Sequence, residues 1–106
     1  MTASSMWNYR HAAYLARLNR MAPSGWASCW SAKHNNHNQW IQVRLSRATR
    51  VTKIITQGRG DMGQWVKNYR IGYSSDEINF AMVVDYYNNI KVRKKLELYS
   101  YIGTCI

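Results

Sequence analysis

From Gln39 onward the chain alternates between apolar and polar positions. Ile41, Val43 and Leu45 fall on one side of an extended segment, with Trp40, Gln42 and Arg44 on the other. Val51 to Thr56 is rich in β-branched residues, the composition that strands favour. Gly58, Gly60 and Gly63 then break the pattern and mark a loop. Alternation resumes from Val66 to Tyr73, which turns Tyr69, Ile71 and Tyr73 inward. Ser74 to Asn79 reads as a turn and Phe80 to Val84 as a further strand. Short strands with frequent turns predict an all-β sandwich or barrel.

The first third of the chain is less regular. From Arg10 to Met21 the spacing suits a short basic amphipathic helix. Ala12, Leu15, Ala16 and Asn19 share one face, and Arg10, Arg17 and Arg20 lie largely on another. Pro23-Ser24-Gly25 is a turn. No internal repeat and no linker interrupts the 106 residues, which suffice for one small domain.

Composition narrows the function classes. The net charge of +10 favours anionic partners: phospholipid surfaces, sulfated or acidic glycans, or nucleic acid. A compact basic run stands at Lys91, Arg93, Lys94 and Lys95, where a solvated edge is the plain reading. Five Trp and eight Tyr supply rings for a core and a surplus for a binding surface. Only five acidic residues are present, and no Ser/His/Asp set, carboxylate pair or phosphate-cradling glycine motif appears. The pattern therefore points away from catalysis. His34 and His37 lack a third ligand at metal-binding spacing, so His11, His34 and His37 read as polar loop residues, and no cofactor is expected. Arg10, Arg17 and Arg20 interrupt the first 20 residues, which read as neither a signal peptide nor a membrane helix.

Several motifs, in order, resemble the discoidin domain, also called the coagulation factor 5/8 type C domain. They are Thr2-Ala3-Ser4-Ser5, Gln39-Trp40-Ile41-Gln42-Val43 with Leu45, Thr56-Gln57-Gly58-Arg59, Gln64-Trp65-Val66 and Tyr73-Ser74-Ser75-Asp76. The resemblance is clearest over residues 2–87, and residues 90–106 diverge. It implies one domain, residues 1–106, built as an antiparallel β-sandwich of jelly-roll type and incomplete at both ends. Lys95 to Tyr99 echoes the family's closing strand. The resemblance also replaces the helix around Arg10 by a loop and an extended piece at Ala16-Arg17-Leu18. One disulfide joins the two ends of such domains. Here Cys105 stands near one end, no cysteine precedes Thr2, and Cys29 lies mid-chain, so two free thiols are expected.

Family members bind glycans, phospholipid head groups, collagen or protein partners through loops at one end. The resemblance carries that role to three loops. Met6, Trp7, Asn8 and Tyr9 match the first projecting loop, and Trp26 lies near the second. Arg59-Gly60-Asp61-Met62 occupies the position of another. The competing reading folds Trp7 and Tyr9 back as core. Arg59-Gly60-Asp61 also matches the integrin-recognition triplet, in which the Asp ligates a metal on the receptor and the Arg meets an acidic groove. Trp40 and Trp65, in or beside strands, are expected to be structural.

Two departures from the family bear on stability. Arg44 stands where the family has Asp, and Glu77 stands where a turn glycine is usual, at a position suited to positive φ. The expected role is a non-catalytic module for adhesion or cell-surface recognition, extracellular by resemblance. Its expected partners are surface glycans, anionic lipids or an integrin-like receptor. The alternatives are a basic nucleic-acid-binding β module, or a truncated fragment with no stable fold. The first ranks lower because the aromatics fall in turns and inward positions.

Overall fold

The computed structural model describes residues 1–83 and the backbone of two further strands, residues 92–94 and 102–105. Among the described residues the strands are β1 Thr2–Ala3, β2 Trp30–Ser31, β3 Ile41–Gln42, β4 Thr56–Gln57, β5 Asn68–Arg70, β6 Gly72–Tyr73, β7 Ala81–Met82, β8 Val92–Lys94 and β9 Ile102–Cys105. Two short 3₁₀ helices, Tyr9–His11 and Ala13–Ala16, complete the regular structure. The fold is all-β, with small, incomplete sheets. It divides into two compact units, Met1–Val66 with Leu98–Ile106, and Lys67–Glu97.

In the first unit β1 pairs antiparallel with β3, Thr2 opposite Gln42 and Ala3 opposite Ile41. β9 lies between β2 and β4 and runs parallel to both. The connections are long, as parallel pairing requires. The buried residues are Leu15, Ala16, Ala27, Cys29 and Trp30. Leu15 and Ala16 are the pair that helical spacing had placed together. The tight 3₁₀ turn buries them without a longer helix, and Arg17 beyond it is extended at φ −69°, ψ 139°. Arg17 alone thus meets the extended expectation, while Ala16 closes the helical turn.

Cys29 is disulfide-bonded, which corrects the expectation of free thiols. Its full burial places the bridge in the small core, where it substitutes for apolar mass that the unit lacks. Persistent disulfides belong to oxidising compartments.

In the second unit β5 pairs antiparallel with β8, and β6 with β7, each opposed residue by residue. The turn between β6 and β7 is built by Asp76. Its carboxylate accepts from Ser74 Oγ at 2.7 Å, from the backbone of Ile78 at 2.9 Å and Asn79 at 2.8 Å, and from Asn79 Nδ2 at 2.7 Å. Those donors, Asn79 foremost, hold the carboxyl well below the usual carboxylate range. Glu77 follows at φ 63°, the left-handed conformation expected for its position.

Several strands are shorter than the alternation predicts. Of Gln39 to Leu45 only Ile41–Gln42 is laddered, because its partner β1 is itself two residues long. Val43 and Leu45 are consequently about half exposed. Val51 to Thr56 contributes only its last residue, with β4 at Thr56–Gln57. Trp40, at 50% exposure, and Trp65, at 42%, are both partly open to solvent. Tyr73, expected inward, is 63% exposed, since a two-stranded ribbon leaves both faces open. The closing strand expected at Lys95 to Tyr99, the end of the Phe80 to Val84 strand, and the side chains of Lys91, Arg93, Lys94 and Lys95 lie outside the described residues.

Candidate functional site

β1 leads directly into the first loop, and a serine network fixes its base. Trp30 Nε1 donates to the Ser5 carbonyl at 2.7 Å, and the Trp7 amide donates to the Ser31 carbonyl at 2.8 Å. Ser4 and Ser5 hydroxyls both donate to Gln39 Oε1, at 2.9 and 2.6 Å. Thr2-Ala3-Ser4-Ser5 therefore closes onto Gln39-Trp40, and the chain beyond it must project. Asn8 caps the following 3₁₀ helix, its Oδ1 accepting from the Arg10 amide at 2.9 Å.

The second loop is anchored to the first. Pro23-Ser24-Gly25-Trp26 is a tight turn closed by Trp26 N to Pro23 O at 3.0 Å, and Gly25 takes φ 79°, which a side chain there would resist. Arg10 reaches across with Nη1 on the Gly25 carbonyl at 3.2 Å, while its Nε donates to Tyr9 Oη at 3.0 Å. The Tyr9 and Trp26 rings meet edge to face, 5.5 Å between centroids. The Ala27 amide donates to the Arg10 carbonyl at 3.2 Å.

The third loop, residues 58–63, joins through Ser28, whose Oγ accepts from the Gly60 amide at 3.4 Å. Within it Arg59 grips Asp61 with two bonds, Nε to Oδ1 at 2.7 Å and Nη2 to Oδ2 at 3.0 Å. Nη1 reaches Gln64 Oε1 at 3.0 Å. Backbone bonds from Arg59 N to Gln64 O and from Gln64 N to Met62 O close the loop on itself. The Arg59 side chain is 14% exposed and that of Asp61 50%. The guanidinium holds the Asp61 carboxyl below its ordinary range, and the carboxylate in turn raises the Arg59 pKa.

The three loops thus converge on residues 27–28. Trp7, 64% exposed, and Met62, 55% exposed, point away from the polar framework, with Met6 and Tyr9 about half exposed. The alternative in which Trp7 and Tyr9 form core is not what is seen. Trp26 is half-buried under Tyr9. His11 sits beneath this end with Nδ1 2.8 Å from Asn8 Oδ1. That oxygen also takes the Arg10 amide, so Nδ1 carries the proton of the neutral ring. Burial, then the positive charge of Arg59, lowers the His11 pKa.

An open cleft of about 410 Å³ runs between residues 20–26 and the Gly60–Asp61 edge of the third loop. Arg20 lines it. Its buried Nε has no hydrogen-bond partner among the described residues, and its guanidinium lies 5.9 Å from the Tyr14 ring centroid. Sequence reasoning passed over Arg20 and Ser28. A single arginine in a chain of charge +10 carries no signal by itself, and Ser28 matters only because the third loop folds onto it.

The first unit thus gathers three loops at one end of a small all-β fold. The chain matches the F5/8 type C domain over residues 1–100, and it belongs to that family. It is 36% identical over 87 residues to lactadherin of Rattus norvegicus, covering 77% of this chain and 20% of that protein. It is 42% identical over 71 residues to the EGF-like repeat and discoidin I-like domain-containing protein 3 of Homo sapiens, covering 65% and 14%. To retinoschisin of Mus musculus it is 30% identical over 83 residues, covering 77% and 37%. The chain therefore spans 14 to 37% of the length of these relatives. No solved structure matches it.

Proposed function

We propose that residues 1–106 form one non-catalytic binding domain that docks on anionic cell surfaces through its three-loop end. The observation that carries this reading is the pairing of two features at that end. Trp7 and Met62 are exposed apolar tips, and Arg20 lines the open cleft at the same end. Apolar tips enter the boundary of a lipid surface, while a guanidinium at the cleft donates hydrogen bonds to an anionic head group. The net charge of +10 adds long-range attraction. The family, and the Cys29 disulfide, fit an extracellular setting.

Sedimentation with phosphatidylserine-containing vesicles tests the reading, alongside vesicles of phosphatidylcholine alone. Trp7→Ala with Met62→Ala is expected to weaken binding by at least about tenfold at physiological salt, the scale of losing one large apolar contact. Unchanged binding would leave bulk charge as the whole effect. Acidic glycans presented on an array form a second arm, since aromatic tips also stack on sugar faces.

An integrin-like receptor remains a distinct partner class, but such a receptor would have to open the Arg59–Asp61 pair before it could use either side chain. Cell attachment to immobilised wild type and Asp61→Glu separates the cases. Metal-dependent recognition loses most attachment in the variant, whereas charge-driven adhesion is unaltered and fades with salt.

A further inference from the structure

The other end of the first unit carries a separate basic feature. β3 runs antiparallel to β1, so the chain leaving Gln42 travels away from the loop that β1 enters. β4 brings it back to the third loop at Gly58. Residues 43–54 are thus the far connection, opposite the three loops. Every residue of this stretch is exposed. Cations recur at every third position: Arg44, Arg47, Arg50 and Lys53. Among the described residues Arg47, Arg50 and Lys53 have no ion-pair partner. None is near in sequence either, because residues 1–60 contain no Asp or Glu.

Without such partners among the described residues, Arg47, Arg50 and Lys53 repel one another. In an extended chain a three-residue step spaces neighbouring cations about 9 Å apart. Cations spread along an exposed connection that bends at Ser46 and Arg47 suit a polyanion with several charges rather than one small anion. The stretch holds no aromatic side chain on which a base could stack and no helix that could enter a duplex groove. Guanidinium forks match the oxygens of sulfate as they match those of phosphate.

We propose that Arg47, Arg50 and Lys53, continuing the series begun by Arg44, form a binding site for a sulfated linear polysaccharide at the end opposite the three loops. A surface and a polysaccharide chain could then be held at once, one at each end.

The probe is a heparin-derived oligosaccharide, with affinity measured over a series of salt concentrations. The variant Arg47→Ala/Arg50→Ala/Lys53→Ala is compared with Arg17→Ala/Lys33→Ala/Arg70→Ala, which removes the same charge elsewhere. The first is expected to lower affinity by at least tenfold and to flatten the salt dependence by two to three ion equivalents, roughly one per lost contact. The second should do markedly less. Oligosaccharide affinity is read without vesicles, so this test and the vesicle result can fail independently. Equal losses in the two triple variants would overturn the site and leave net charge as the cause. Loss of a DNA duplex in parallel, at equal starting affinity, would overturn the assignment to sulfated polysaccharide. Matching circular dichroism spectra establish that both triple variants are folded.

Discussion

The two ends of the first unit expose apolar side chains for different reasons. At the loop end each tip stands on a satisfied polar frame. Trp7 is tied to Ser31, Ala27 to Arg10, Gly60 to Ser28, and Arg59 to Asp61 and Gln64. With its backbone groups paired, that end can hold Trp7 and Met62 outward. Across residues 43–54 the frame is thin, and the bond from Thr49 Oγ1 to the Arg47 carbonyl is purely local. Val43, Leu45, Val51 and Ile54 are exposed there because the β1–β3 ladder has ended. Exposed apolar side chains stand on a hydrogen-bonded frame in one place and beyond the end of a ladder in the other.

The largest expected effect follows from Trp30, which is 3% exposed and bridges core and loop base. Trp30→Ala should cost about 3–5 kcal/mol, the usual range for removing a buried Trp. In a unit with so few buried residues that loss should unfold the chain, read as disappearance of a cooperative thermal transition. A retained transition would mean that the loop base does not depend on this contact. The same variant should destroy the contrast between the ends.

Limited trypsin digestion sharpens the contrast directly. Cleavage after Arg44, Arg47, Arg50 or Lys53 should precede cleavage after Arg10 or Arg59, because local opening costs least where distant bonds are fewest. Mass spectrometry of early fragments gives the order. Early cuts at Arg10 or Arg59 would show that the loop frame is no firmer than the far connection.

The smallest effect is pH dependence at the loop end. The folded His11 pKa lies below 6.5, so the unfolded chain takes up a proton first as pH falls. Stability from this group is complete above pH 6.5 and declines below it. Asp61 acts lower, its contribution being present above pH 3.8 and lost beneath as the carboxyl protonates. Denaturant midpoints measured between pH 7 and 5 should fall in wild type and fall less in His11→Gln. Equal slopes would show that His11 does not report on the loop frame.

Much of the architecture was legible because it is local. The Pro23–Trp26 turn, the glycine-marked loop at 58–63, the Asp76 turn with Glu77 at positive φ, and the shared face of Leu15 and Ala16 each depend on side-chain chemistry within a few residues. The motif order also pointed to the family that the comparisons establish. Strand lengths were not legible, because a strand ends where its partner ends, and alternation continues regardless. That is why Val43, Leu45 and Tyr73 lie exposed despite a buried pattern.

By itself, the sequence determined an all-β fold, three candidate loops and a large positive charge. The tertiary structure alone decided that Ser28 and Arg10 would draw those loops together, that Asp61 would be held by Arg59, that Cys29 would be bridged, and that Arg20 would line a cleft. The physical reason is reach. A turn or a cap is settled by neighbours along the chain, while a hydrogen bond between residues 32 apart exists only after folding has brought Gly60 to Ser28.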